Sequence, residues 1–320
     1  MPQFYDAIER PASNRHAPAW ARRTPTPALT QVFPLLLALG DDELAVPAIR
    51  VTLALARKKG AIPTVIQALG ADREAEDVMA PFVGAVVEEL LSPEYRSERR
   101  AALQKLVASI AGDVPWRLEV DDRSAGEAVT EAARQMQPSL IVMGLGQQGL
   151  VHRVFSRYLL RYMVRGSMLP VLAVRPELTE LPRRIVVAVD FGDASIHAAR
   201  MARQLLADGG EMRLVYVAKD HSSVKQDNGP EGASRVKRSI QERLDQLAEY
   251  LSPEPGMKIV SEQLAGDVVL SIKGCAERTG ADLIAVGSDH HSPLDRVLTG
   301  SVSMALAHTA RWSMLIVPGR

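Results

Sequence analysis

One segment of the second half reads Val286-Gly287-Ser288-Asp289-His290 and resumes, ten residues past His290, as Gly300-Ser301-Val302-Ser303. It lies between two short apolar runs, residues 283–286 and 314–317. A strand ending in glycine, a loop, and a second glycine followed by a hydroxyl residue and a helix form the layout of a phosphate cradle, because backbone N–H groups and a helix N-terminus together hold an anion. The pattern predicts an α/β unit with an anion site at the end of a strand.

The same neighbourhood recurs in altered form 143 residues earlier, where Gly144 aligns with Gly287 and Leu172 with Leu315 without a gap. In the second half we predict strands at 184–190, 214–218, 257–264, 283–286 and 314–317, and helices at 195–207, 235–251, 267–279 and 297–308. Short strands that alternate with helices require parallel pairing through right-handed crossovers. The repeat therefore predicts two tandem Rossmann-like domains, each an open, mainly five-stranded parallel sheet flanked by helices.

The first half has the same order of elements. Its predicted strands are 35–39, 62–69, 116–120, 140–144 and 171–174, and its predicted helices include 43–58, 124–136 and 154–164. We expect an N-terminal extension over 1–30, domains over 31–176 and 183–320, and a linker near 175–183 that contains Pro176 and Pro182. Residues 71–113 enlarge the first domain; charged residues among apolar ones predict solvated helix faces there, and a lid role stays open.

Composition limits the class of protein. The chain has 320 residues, 47% hydrophobic and 24% charged, with a formal net charge of zero and only 4% aromatic residues. A neutral, aromatic-poor chain is not expected to bind nucleic acid or a membrane surface. The lone Cys275 excludes disulfide frameworks and predicts a small apolar residue in a helix. The N-terminus lacks the apolar core of a signal peptide, and we expect a cytoplasmic protein.

These residues resemble the universal stress protein family in its tandem two-domain form. The likeness rests on Val187-Ala188-Val189-Asp190, on residues 281–287, on the segment from Gly300 to residue 317, and in the first half on Leu140-Ile141-Val142-Met143-Gly144. The resemblance implies a stress-response protein that regulates through conformation or a protein partner rather than by turnover. It also implies that the strands at 171–174 and 314–317 pair with each other inside one chain, and it is compatible with a homodimer.

The resemblance implies a nucleotide site in the second domain. Nucleotide-binding members of the family carry Gly, two residues, Gly, nine residues, and Gly followed by Ser or Thr. This chain keeps the spacing, with His290 at the second glycine position and Asp289 before it. The implied ligand is ATP or another adenine nucleotide, alone or with Mg²⁺. The implied contacts are Asp190 to the ribose, backbone groups of Val217 to the adenine edge, and Gly287, His290, Gly300, Ser301 and Val302 around the phosphates.

The first domain departs further from that pattern. Gly40 stands where Asp190 stands in the second domain, and Arg157-Tyr158 stand where Gly300-Ser301 stand. We therefore expect the first domain to have lost nucleotide binding.

Each predicted contact also has a structural explanation. Asp190 and Ser301 suit helix caps or turns, and Val217 suits simple core packing. Adjacent histidines at His290 and His291 point in different directions, which disfavours zinc, whereas a protonated His290 could meet a phosphate. A protein-interaction module of the same fold that binds no nucleotide, and a slow ATP hydrolase, stay as alternatives.

Overall fold

The structure, a computed structural model, describes residues 33–39, 42–70, 93–145, 169–218, 225–252, 257–288, 302–309 and 311–319. The strands are β1 Leu35–Leu39, β2 Thr64–Gly70, β3 Arg117–Ser124, β4 Leu140–Gly144, β5 Val171–Val174, β6 Arg184–Ala188, β7 Glu211–Ala218, β8 Lys258–Ala265, β9 Leu283–Ser288 and β10 Ser313–Pro318. The helices are α1 Asp42–Lys59, α2 Pro93–Ala111, α3 Ala125–Met136, α4 Asp193–Leu205, α5 Lys225–Leu251, α6 Val268–Thr279 and α7 Val302–Thr309. None of these helices is long and apolar enough to cross a bilayer.

The ten strands form one sheet in the order β3-β2-β1-β4-β5-β10-β9-β6-β7-β8. All neighbours are parallel except β5 and β10, which run antiparallel with Leu172 opposite Leu315. The predicted α/β class and the predicted pairing of the final strands are confirmed, and the two five-stranded sheets are halves of one continuous sheet. Strands β5 and β10 thereby cover each other's edges, which would otherwise present unpaired backbone groups.

The central strands are buried on both faces because helices cover both. Ile185, Val186 and Val187 in β6 are each at most 1% exposed, as expected for a continuous β-branched run. On one face, alternate strand residues from both halves join α3, α6 and α7 in a single apolar cluster. The two repeats therefore share one core along this face.

Local sequence explains three helix ends, one in α3 and two in α6. Ser124 caps α3, since its Oγ accepts from the Glu127 N–H at 3.4 Å and donates to Glu127 Oε2 at 3.1 Å. Asp267 caps α6 by accepting from the Leu270 N–H at 2.8 Å. Gly280 ends the same helix with φ of +60°, a left-handed conformation that glycine adopts without strain.

Two predicted boundaries, the start of α5 and the end of β3, were wrong by ten and four residues. Helix α5 begins at Lys225, ten residues before the predicted start, and runs through Gly229 and Pro230. These residues weaken a helix by about 1 and 3 kcal/mol, and a helix of 27 residues has enough other bonds to continue. Strand β3 extends to Ser124, past the predicted end at residue 120, because β2 follows it through an irregularity between Ala68 and Gly70. The predicted extension 1–30 and helix 154–164 lie outside the described residues.

Candidate functional site

The carboxyl end of β6 leads into a tight turn built by Asp190. The Val189 N–H continues the parallel ladder by donating to Val215 O at 2.8 Å, and the chain then leaves the sheet. Asp190 Oδ1 accepts from the Gly192 N–H at 2.8 Å, and Phe191 between them has φ of +65°. An aspartate that holds the N–H two residues on is a typical Asx turn. The turn leaves the Asp190 carboxylate exposed at the sheet's edge.

The Ser195 hydroxyl holds this turn against the first turn of α4. The Asp190 N–H donates to Ser195 Oγ at 3.3 Å, and that hydroxyl donates to Gly192 O at 3.0 Å. Ser195 is 3% exposed and lies in the first turn of α4, which the sequence predicted to begin near Ser195 and which begins at Asp193. Its role was not predicted from the sequence. A hydroxyl three residues after the helix cap at Gly192 is the signal that could have found it.

Gly287 packs against the same helical turn. A Cβ built on Gly287 would lie 2.5 Å from Ser195 N and 2.6 Å from Ala194 C, distances at which the backbone must move. Asp190 and Gly287 therefore both contact Ser195. Asp190 follows the carboxyl end of β6, and Gly287 lies near the carboxyl end of β9. This is the edge at which open α/β sheets bind ligands.

Two other predicted residues lie on the core side. Val217, near the end of β7, is half-buried and packs against the apolar cluster shared with α6. Val302, the first residue of α7, packs against the same cluster. The structure therefore gives both side chains a packing role, and backbone contact with a ligand stays a prediction.

An aromatic pair packs beside the turn. The rings of Phe191 and Tyr216 are stacked, with centroids 5.7 Å apart and an interplanar angle of 26°. The guanidinium of Arg243, from α5, lies 4.0 Å from the centroid of Phe191. A cation over an aromatic face is held by the ring quadrupole. This stack fixes the residue next to Asp190 and ties the turn to β7 and α5.

The remaining predicted contacts, His290, Gly300 and Ser301, lie outside the described residues, as do Asp289, His291 and Thr299. So do Gly40 and Arg157 of the first repeat. Within the part of the chain that the structure describes, no three His, Cys, Asp or Glu side chains are grouped so as to hold a metal ion.

The chain's cysteine belongs to a separate charged cluster between β7, β8 and α6. Arg213 bridges Glu211 and Glu262 at 2.8 and 3.0 Å, Arg278 also contacts Glu262, and the Cys275 thiol donates to Glu262 Oε2 at 3.7 Å. Burial, together with the Glu262 charge, raises the pKa of Cys275 to about 11. A buried thiol with a raised pKa is a poor nucleophile. Cys275 is therefore a packing residue, as the sequence predicted.

Comparison with known proteins identifies the family. The model of the universal stress protein family matches twice, over residues 33–175 and 182–318. A universal stress protein of Methanocaldococcus jannaschii is 28% identical over 180 residues, which is 52% of this chain and 95% of that protein.

One solved structure is similar in fold over most of the chain. A universal stress protein from Archaeoglobus fulgidus is 17% identical and covers 90% of this chain and 99% of its own, with a TM-score of 0.61. Another universal stress protein, solved in complex with cAMP, is 20% identical and covers 43% of this chain and 97% of its own, with a TM-score of 0.34. Since the family model matches both halves, this chain belongs to the universal stress protein family as two tandem copies of its domain.

Proposed function

We propose that this chain is a stress-response regulator whose second repeat binds an adenine nucleotide at the carboxyl ends of β6, β7 and β9. The observation that carries the proposal is the contact of both Asp190 and Gly287 with Ser195. At this point of the sheet's edge the Asp190 carboxylate is exposed, and β9 lies close to the first turn of α4. Ligands of open α/β sheets bind beyond this edge.

Each part of a nucleotide has a candidate partner. Asp190 uses Oδ1 to hold its own turn, and its exposed carboxylate is able to accept hydrogen bonds from ribose hydroxyls. Backbone groups of Val217 would meet the adenine edge. The phosphates would meet Gly300, Ser301 and His290, whose assignment rests on sequence spacing alone. Mg²⁺ would enter with the phosphates, because that ion is commonly held by substrate phosphates and one or two carboxylates.

The proposed output is regulatory. Binding would change the conformation of the chain or its choice of protein partner, in the cytoplasm and without catalytic turnover. Because the two repeats share one sheet and one apolar core, a change at the second repeat would reach the first through packed elements rather than through a flexible tether.

A second candidate is an interaction module of the same fold that binds no nucleotide. The observation that favours it is that Gly287 is required by the packing of β9 on α4, whether or not a phosphate is present. The Asx turn likewise gives Asp190 a structural role of its own.

Isothermal titration calorimetry of the full chain with Mg-ATP and with AMP tests the proposal. We expect saturable binding in the micromolar range at about one site per chain, equivalent to roughly −8 kcal/mol. Gly300→Val should abolish the heat, and Arg157→Ala, in the first repeat, should leave it unchanged. The absence of heat at millimolar nucleotide would support the interaction module. Phosphate release above that of Gly300→Val would instead indicate a hydrolase.

A further inference from the structure

A cavity of about 570 Å³ lies between α1, α2 and the segment that joins the two repeats. Its volume falls within the range of about 300–1,000 Å³ typical of small-molecule sites. Apolar side chains, including Leu53, Ile110 and Leu181, line part of it. The charged residues of the lining are Arg50, Arg57, Arg183 and Glu180, and Ser109 and Thr179 are its uncharged polar residues. The cavity is separate from the proposed nucleotide site, because its lining includes no residue from the carboxyl ends of β6, β7 or β9.

The cavity carries an excess of positive charge. Arg57 is held in place, since its Nη2 donates to Ala111 O at 2.9 Å and its Nε lies 3.9 Å from Asp113 Oδ1. Among the described residues, the guanidinium groups of Arg50 and Arg183 have no acidic side chain within 4.0 Å. The lining therefore holds three arginines and one acidic residue, Glu180, and Asp113 outside the lining offsets part of the Arg57 charge. Guanidinium groups are well suited to binding carboxylate, sulfonate or phosphate oxygens.

The walls of the cavity are fixed before any ligand arrives. The joining segment is held to the second repeat by bonds from the Ala207 N–H to Pro182 O at 2.8 Å and from the Glu211 N–H to Arg183 O at 2.7 Å. The Arg183 N–H also donates to Asp282 Oδ2 at 2.8 Å. On the other wall, the Arg57 bond to Ala111 O fixes α1 to the C-terminus of α2. The backbone around the cavity therefore loses little conformational freedom on binding.

We propose that this cavity is a second ligand site, specific for a small organic anion with an apolar body. Arg50 and Arg183 bind the anionic group, and Leu53, Ile110 and Leu181 cover the body. The lining spans the first repeat, the joining segment and Ala207 of the second repeat. Occupancy therefore stabilises the junction between the repeats. The site acts independently of the nucleotide proposed above.

Fluorescence titration with 8-anilinonaphthalene-1-sulfonate, an apolar anion, tests the proposal in the full chain. N-phenyl-1-naphthylamine supplies the same apolar body without the charge, and inorganic phosphate supplies charge without the body. We expect one saturable site for the sulfonate, and binding at least about tenfold weaker for each of the other probes. The sulfonate titration is repeated with Mg-ATP present, and its dissociation constant should not change.

Matched variants locate the site. Arg50→Ala with Arg183→Ala should weaken sulfonate binding about tenfold, whereas Arg235→Ala with Arg238→Ala, which removes the same charge from exposed positions of α5, should leave it within about twofold. Glu180→Gln should tighten binding about two- to fivefold, because it removes the opposing charge. All variants should retain the wild-type circular dichroism spectrum, since the substituted side chains are exposed. Equal binding of the neutral probe, or unchanged sulfonate binding in the Arg50→Ala/Arg183→Ala variant, would overturn the proposal.

Discussion

Gly287 and Ser195 are so close that a Cβ on Gly287 would lie 2.5 Å from the Ser195 backbone nitrogen. Substitution Gly287→Ala must therefore push β9 and α4 apart. We expect it to lower the free energy of unfolding by about 1–3 kcal/mol, as overpacking of a tight contact does. Urea denaturation followed by circular dichroism measures the loss.

Gly274→Ala is the matched control. Gly274 lies inside α6, and a Cβ there meets no atom within 4 Å. The same substitution should raise the free energy of unfolding by roughly 0.5–1 kcal/mol, because alanine favours a helix. Equal effects at the two glycines would contradict the packing role of Gly287.

The architecture was predictable because its signals are local and repeated. The β-branched run in β6 predicted a strand buried on both faces, and the alignment of Leu172 with Leu315 predicted the tandem repeat. These two properties depend on residue type and spacing alone, whereas the pairing of β5 with β10 was implied by the family resemblance. The close contact of Gly287 with Ser195 depends on how two elements approach in space, and no local pattern encodes it.

The cation over Phe191 should stabilise the turn beside Asp190. Because Arg243 lies 4.0 Å from the ring centroid, Arg243→Ala should lower the free energy of unfolding by about 0.5–1 kcal/mol. Arg235→Ala, on an exposed position of the same helix, should change it by less than about 0.5 kcal/mol. Urea denaturation measures the free energy of unfolding of both variants. Equal losses would show that the Arg243 cation over Phe191 contributes nothing.

Cys275 should remain a thiol well into alkaline pH. Its pKa is raised to about 11 from 9.0, so the folded state holds its proton more tightly than the unfolded state. The associated stability is present below pH 9 and is lost as the pH rises from about 9 to 11. At pH 8 we expect 5,5′-dithiobis(2-nitrobenzoate) to react slowly with the folded chain and rapidly in urea. Fast reaction of the folded chain would show that the thiol is accessible.

The second repeat expressed alone should dimerise. Removing β5 leaves β10 with an unpaired edge, and a second copy is able to supply an antiparallel partner. We expect light scattering after size-exclusion chromatography to give about twice the mass of residues 183–320. A soluble monomer over a wide concentration range would contradict the view that β10 requires a partner strand.

The cavity between the repeats could not be predicted from the sequence either. The charged residues of 71–113 predicted solvated helix faces, and α2, in the described part of that segment, has many exposed side chains. Nothing in the pattern predicted that its C-terminus, the middle of α1 and Arg183 would line one cavity, because those segments are far apart in the chain. For the phosphate end of the nucleotide site, His290, Gly300 and Ser301 remain predictions from spacing.

The most direct test of nucleotide binding compares two aspartates by calorimetry. Asp190→Asn keeps an oxygen for the Gly192 N–H and removes the charge that the ribose would meet. Asp267→Asn is the control, because it keeps an oxygen for the Leu270 N–H and removes a charge at the cap of α6. We predict that Asp190→Asn weakens Mg-ATP binding about tenfold at an unchanged melting temperature, and that Asp267→Asn binds like the wild type. Equal affinities for all three proteins, or no binding by the wild type, would contradict a nucleotide site at Asp190.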